Sequence, residues 1–317
     1  MKKRLFLHIG LHKTGTTSIQ RCLFNRRLHL HQLGILYPET AIPPRYSGHH
    51  LLPWSLGQQK SINSGDIFAQ IRDEILASPC ATAIISSEDF EAQHSKEKIK
   101  FIADQFSEFD TRILVFLRRQ DEFIEAEYNQ NLKMGKYFKS IQAFTELMFN
   151  GGRCDFYGLC EAWAAEFGRA NILVRIYAKT FNVIADFFEA IEIYLRDDLP
   201  TGHINPSFDK RFTALVRMAN QALINEPTKW RALMQLVMRA STENGASHGS
   251  YSLLTVTQRK EIIERCNGEN AKIAQIYLSQ ESLFPDTFEI ADFVDEHCLN
   301  EAALASILPH LASALKI

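Results

Sequence analysis

The chain has 317 residues, 46% of them hydrophobic and 23% charged, the make-up of a globular protein long enough to bury a sizeable core. Lysine and arginine total 35 against 37 acids, a formal net charge of −2. A bulk electrostatic footprint for nucleic acid is therefore absent, and an anionic ligand has to be met by a local pocket.

The start, MKKRLFLHIG, has a short apolar run broken by His8 and no small-residue cleavage site, unlike an export signal. No stretch of 18 apolar residues suggests a membrane span. The six cysteines lack CxxC or zinc-type spacing, so reduced thiols and no structural metal are expected. The expectation is a soluble cytoplasmic chain, at most peripheral to the inner membrane.

Short runs rich in Ile, Val, Leu and Phe at Arg4–Ile9, Thr82–Ser86, Arg112–Leu117 and Asn171–Tyr177 read as buried strands. A helix is expected from about Thr16. Another is expected over Asp155–Phe167, where Phe156, Leu159, Cys160, Trp163 and Phe167 share a face, Asp155 is the N-cap and Gly168 the stop. Strands separated by helices predict an α/β fold with a parallel sheet covered on both faces. After Pro200 helical periodicity dominates, with a weak strand signal near Tyr251–Val256, a polar loop at Glu243–Ser250 and one or two helices over Leu253–Leu278. The predicted organisation is an α/β core over 1–205 and a helical extension over 206–317. No internal repeat or low-complexity segment is present.

The run LFLHIGLHKTGTTSIQ carries most of the chemistry. A buried strand, a loop with two glycines and a helix start bring unpaired backbone N–H groups and the positive end of a helix to one spot, which suits an anion. Gly10 and Gly15 permit close approach, Thr14, Thr16, Thr17 and Ser18 add hydroxyls, and Lys13 adds a mobile charge. The glycine spacing agrees with the Walker A pattern, but the lysine precedes the second glycine and Thr16 stands in its place. No magnesium-binding aspartate presents itself. A small-molecule kinase using ATP is thereby the lesser reading, and a nucleotide-binding module without catalysis is a third.

The string HKTGTTSIQ resembles the 5′-phosphosulfate-binding loop of sulfotransferases that use 3′-phosphoadenosine 5′-phosphosulfate (PAPS), in particular a bacterial, glycan-modifying branch. SSEDF, DFYGLCEAW followed by NILVRIYAK, and NGENAKIAQIYL extend the resemblance over nearly the whole chain. It implies a P-loop-like core and transfer of a sulfuryl group from PAPS to a hydroxyl acceptor, a polysaccharide or lipid-linked sugar being the first expectation. Adenosine 3′,5′-bisphosphate is the product, and no metal is expected.

By the same resemblance His12, Lys13, Thr14, Gly15, Thr16, Thr17 and Ser18 bind the donor, and Lys13 also stabilises the leaving group. Arg118 at a strand end is matched to the arginine that grips the 3′-phosphate, and Tyr128 to a tyrosine ten positions on. The serine expected between them is replaced by Ala126, for which Arg119, Asn129 and Gln130 are candidate substitutes. Alternatively Arg118 and Arg119 pair with Asp121, Glu122 and Glu125 on a solvated helix.

Two bases are candidates for the acceptor proton. Glu88 follows a buried strand at the sheet edge where ligands of open α/β folds bind, and glutamate is the base in related glycan-modifying enzymes. His50, beside His49, is the other, because an imidazole as a side-chain type needs no tuning to act as a base near neutrality. Glu88 could instead open a helix, and the histidine pair could be a surface turn. The basic, aromatic segment Leu132–Lys139 reads as a mobile lip over the acceptor or as a solvated loop.

Overall fold

The computed structural model describes residues 2–57, 62–92, 95–178, 182–194, 208–243, 251–288 and 291–315. The expected boundary at 205 lies outside them, as does the loop Glu243–Ser250 apart from its first residue.

Five strands form one parallel sheet: β1 (Arg4–His8), β2 (Ile35–Leu36), β3 (Thr82–Ser86), β4 (Asp110–Leu117) and β5 (Ile172–Ile176). Their order is β2-β3-β1-β4-β5, with Leu5 opposite Ala83 on one side and Thr111 on the other. The architecture is an α/β core, a central parallel sheet flanked by helices. Four of the strands follow the apolar runs of the sequence. The fifth, β2, has two residues and leaves no periodic signal.

Alternate residues of β1 are buried on opposite faces: Leu5 and Leu7 are fully covered, and so is Phe6 between them. Phe6, Ile84, Leu114 and Phe116 join a cluster with Ile19 and Leu23 from the helix Thr16–Asn25 and with Ile184, Phe187 and Phe188 from the helix Val183–Ala190. The helix Phe156–Phe167 packs on β4 and β5 and against the helix Lys96–Gln105. Asp155 caps it as expected, its carboxylate accepting from the Gly158 N–H at 2.7 Å, and Gly168 ends it at φ 85°. Each fully buried Leu or Phe contributes roughly 1.5–3 kcal/mol here.

The connections that follow β1 and β3 run to different neighbours, β2 and β4, on opposite sides of the sheet centre. The carboxyl ends of β1 and β3 therefore border a topological switch point, where open α/β sheets place their ligands.

The chain forms two compact units. The first comprises Met1–Arg118, Asp155–Ile204 and Gly268–Phe284, and holds the sheet. The second comprises Arg119–Cys154, Asn205–Asn267 and Pro285–Ile317. It contains the helices Gln120–Lys133, Ile141–Asn150, Thr213–Ala222 and Pro227–Glu243, and most of Val256–Ile273. The weak strand signal near Tyr251 becomes two residues, Tyr251–Ser252, paired in parallel with Asp292–Phe293. The helix after it runs on without a break into a π-turn at Ala274–Leu278. All six cysteines are free thiols, five of them buried. Among the described residues no helix is long and apolar enough to cross a membrane.

Candidate anion and proton-transfer site

The loop after β1 is shaped by its glycines. Gly10 has φ 113°, and a Cβ there would stand 3.2 Å from the Glu88 Cα, so the loops that leave β1 and β3 touch backbone to backbone. Gly15 has φ 78°, and a Cβ there would stand 2.8 Å from Val183 Cγ1. Between them Lys13 is also left-handed at φ 62°, a conformation costing an L-residue about 1–2 kcal/mol. Its carbonyl accepts from Arg118 Nη1 at 2.9 Å, and the Thr14 hydroxyl, fully buried, donates to the Leu11 carbonyl at 2.6 Å. The helix Thr16–Asn25 then starts at Gly15 with no side chain capping it. Its N-terminus, the positive end of the helix dipole, faces Lys13 and the loop backbone without an acid of its own in the first turn.

Arg118, at the end of β4, is buried, braces the loop through Lys13 and lies 5.3 Å from the centre of the Tyr177 ring. The residue matched by resemblance to a phosphate anchor thus also sets the loop's shape. Thr16 and Ser18 are buried in the first turn, while Lys13, His12 and Thr17 are half-buried.

The end of β3 supplies a second cluster. Ser87 runs into a single 3-10 turn, Glu88–Ala92, carrying three acids. His12 sits between two of them: its Nε2 is 3.3 Å from Asp89 Oδ1, its Nδ1 is 2.9 Å from Glu91 Oε1, and its backbone N–H donates to Glu91 Oε2 at 2.6 Å. The other oxygen of Asp89 lies 3.0 Å from His50 Nδ1 and accepts from Trp54 Nε1 at 2.8 Å. Burial alone would raise the Asp89 pKa. The hydrogen bonds and charges of His12 and His50 overcome it and hold the carboxyl well below the usual range. His50 is itself buried, stacks on Trp54 at 5.5 Å, and has the Ser87 hydroxyl 2.9 Å from Nδ1.

The histidine pair is not a surface turn. His49 is fully buried, with Nδ1 accepting from the Ser86 N–H at 3.1 Å and Nε2 facing the Pro38 carbonyl at 3.1 Å. Burial lowers its pKa to about 4, which keeps it neutral and structural. His8, at the end of β1, is likewise enclosed, and burial lowers its pKa to about 3. Glu88 is half-buried, and its Oε2 accepts from Gln20 Nε2 at 2.6 Å. The Gln20 amide rests on Gly48, where a Cβ would stand 2.6 Å from its Cδ.

The structure thus brings His12, Lys13, Glu88, His50 and Arg118 together within one unit, at the carboxyl ends of β1, β3 and β4. Asp89, Glu91, Gln20 and Trp54 belong with them and were not singled out from the sequence. The signal for the acids was present in SSEDFE, a run of carboxylates directly after a buried strand.

In the second unit the residues offered as substitutes for the missing serine are placed differently. Arg119 grips Asp121 through Nε at 2.7 Å and Nη2 at 3.1 Å, donates to the Thr287 carbonyl and lies over Phe288. Asp121 also accepts from Arg259 Nη1 at 2.6 Å, and Glu125 from Arg259 Nη2 at 2.8 Å, with Lys210 Nζ 3.0 Å away. For Glu125, burial is outweighed by the charges of Lys210 and Arg259, and its pKa falls to about 2. The pairing of Arg119 with Asp121 expected on a solvated helix therefore exists, but inside a buried network. Asn129 is buried, and its Oδ1 has no hydrogen-bond partner among the described residues, while Tyr128 shares its one hydroxyl hydrogen between the Lys139 carbonyl and Glu296.

The segment Leu132–Lys139 is not a free lip. Asn220 Nδ2 donates to the carbonyls of Leu132 and Tyr137 at 2.9 and 2.8 Å, Arg217 Nε to that of Phe138 at 3.2 Å, and the Tyr128 hydroxyl to that of Lys139 at 2.9 Å. Gly135, at φ 68°, carries the Trp230 ring against it.

No protein-family model matches the chain. An uncharacterized protein of Archaeoglobus fulgidus is 28% identical over 221 residues, which is 66% of this chain and 57% of that protein. The chain thus spans under two thirds of that relative's length. Among solved structures it is similar to a sulfotransferase from Alicyclobacillus acidocaldarius, with 18% identity, a TM-score of 0.42, and 71% of this chain and 98% of that one covered. It is also similar to a sulfotransferase domain from the curacin biosynthetic pathway, with 10% identity, a TM-score of 0.37, and 84% and 98% covered.

Proposed function

We propose that the chain is a sulfotransferase that takes PAPS as donor and a hydroxyl group as acceptor, a glycan or glycan precursor being the acceptor class the sequence resemblance favours. The observation that carries the reading is the loop from Gly10 to Thr17. It joins an uncapped helix N-terminus, a left-handed lysine and two glycines at the sheet's switch point, braced by a buried arginine. That is a cradle for a compact, strongly anionic group.

In the proposed reaction the acceptor oxygen attacks sulfur, the bond from sulfur to the bridging phosphate oxygen breaks, and the acceptor proton passes to a base. Negative charge grows on the leaving oxygen, where Lys13 and the helix N-terminus stabilise it. Arg118 fixes the carbonyl of Lys13 and thereby the lysine's aim. His50 is the assigned base: a carboxylate holds its Nδ1, which leaves Nε2 to take the proton. Glu88, whose backbone abuts Gly10, is the alternative.

Calorimetric titration with adenosine 3′,5′-bisphosphate, with and without magnesium and against ATP, tests the donor assignment. Magnesium-independent binding that prefers the bisphosphate and weakens in Arg118→Ala is the expected result. A preference for ATP with magnesium moves the chain to the kinases.

A further inference from the structure

The segment Leu132–Lys139 belongs to the second unit, and much of its backbone is tied to that unit's own residues. Besides the four carbonyls tied down by Asn220, Arg217 and Tyr128, three of its N–H groups are bonded. Met134 donates to Gln130, Gly135 to Leu132 at 2.9 Å, and Lys136 to Asn131 at 2.9 Å. The clamp is itself buried and bonded: Asn220 is 2% exposed, and its Oδ1 accepts from Trp230 Nε1 at 2.7 Å. A surface turn meant only for water has no need of such bonding, since water satisfies exposed carbonyls.

The side chains on the outside are of two kinds. Met134 is 48% and Phe138 36% exposed, and Lys136 and Lys139 are exposed beside them. No acid occurs from Tyr128 to Thr145, a stretch that also includes Lys133. Of the acids on packed elements, Asp295 stays exposed, accepting from the His297 N–H at 2.9 Å near the Arg217 charge, and two others are taken up. Glu296 is buried, with Tyr128 and the Ile141 N–H bonded to it and Arg217 3.6 Å away, while Glu226 pairs with Lys229 at 3.2 Å. The tip thus presents two apolar side chains among lysines.

We propose that this tip docks the protein on an anionic lipid bilayer, with Met134 and Phe138 entering the headgroup region and Lys136 and Lys139 meeting acidic headgroups. Charge complementarity selects a negative surface, and the two exposed apolar side chains gain by entering its interfacial region. A soluble polyanion would use the lysines alone and gain nothing from two exposed apolar side chains.

The test is flotation of the full chain with phosphatidylcholine vesicles that contain or lack phosphatidylglycerol, at low and high salt. Heparin binding is measured in parallel. The expected result is binding only to the anionic vesicles, lost at high salt. Lys136→Gln with Lys139→Gln should weaken it about thirtyfold, from roughly fivefold per lysine at a charged surface. Met134→Ser with Phe138→Ser should weaken binding at low salt while leaving heparin binding unchanged. The lysines are exposed, so melting temperature should stay at the wild-type value in that pair, and bisphosphate binding should stay at the wild-type value in both pairs and report an intact fold. No flotation of the wild type overturns the proposal. So does flotation that both variants retain, or heparin binding without vesicle binding, which would assign the tip to a soluble polyanion.

Discussion

Replacing Gly15 by alanine tests whether the anion loop has the shape seen here. The new Cβ would be forced into φ 78°, which costs an L-residue about 1–2 kcal/mol. It would also stand 2.8 Å from Val183 Cγ1 and 3.3 Å from Cγ2, inside van der Waals contact, and overpacking of this kind costs about 1–3 kcal/mol. Val183 opens a helix held at its start by Asn182, whose side chain accepts from the N–H groups of Ile184 and Ala185, so it yields little. The sum is a loss of about 2–5 kcal/mol. The two parts separate in a double-mutant cycle with Val183→Ala, which removes the overlap and leaves the dihedral cost, giving a coupling of about 1–3 kcal/mol. Urea unfolding measures the stabilities, and bisphosphate titration reads the loop directly. Gly15→Ala within about 0.5 kcal/mol of wild type, with no coupling to Val183, would refute the loop geometry and with it the cradle.

Lys13→Ala should lower kcat by about a hundredfold or more, as removal of a transition-state donor does, while circular dichroism stays unchanged; near-wild-type turnover would remove the lysine from the mechanism. Stability should fall as the solution is acidified below pH 6.5. His8 and His49 take up protons in the unfolded chain at about that pH but in the folded one only near 3 and 4. The unfolded state therefore binds more protons across this window, and the two together cost about 5 kcal/mol by pH 4.5. A urea midpoint that stays flat from pH 7.5 to 5 would contradict their burial as neutral rings. Asp155→Ala should cost about 1 kcal/mol through the lost cap at Gly158, and an unchanged midpoint would show that water serves that N–H equally well.

The sheet was legible because its strands are buried on both faces, so their apolar runs are nearly continuous. Thr82–Ser86 begins and ends where the sequence placed it. The loop was legible because its glycines and lysine lie in one short stretch. Interactions between distant residues were not: His12 meets Glu91 across 79 positions and His50 meets Asp89 across 39. His49 and His50 show the limit most clearly. As neighbours in sequence they look alike, yet one is locked between two backbone groups and the other is held by a carboxylate. Leu132–Lys139 looks mobile from its glycine and charges, and is fixed by Asn220 from a helix 88 residues away.

Asp89 gives a way to test the two candidate bases. One of its oxygens faces the His12 ring and the other faces His50 Nδ1 and the Trp54 N–H, so the carboxylate is ionised and His50 carries its proton on Nδ1. The basic nitrogen is then Nε2, fixed in tautomer and ring plane by the bond behind it and by the stack on Trp54. If His50 takes the acceptor proton, Asp89→Asn must lower kcat together with His50→Gln, because the amide no longer enforces the Nδ1–H form, and donor affinity should change little in His50→Gln. Glu88→Gln preserves the side chain's size and its contact with Gln20 and should leave most of the turnover. If Glu88→Gln abolishes turnover while His50→Gln retains it, the proton goes to the glutamate, and Asp89 serves only to hold His12 beside Lys13.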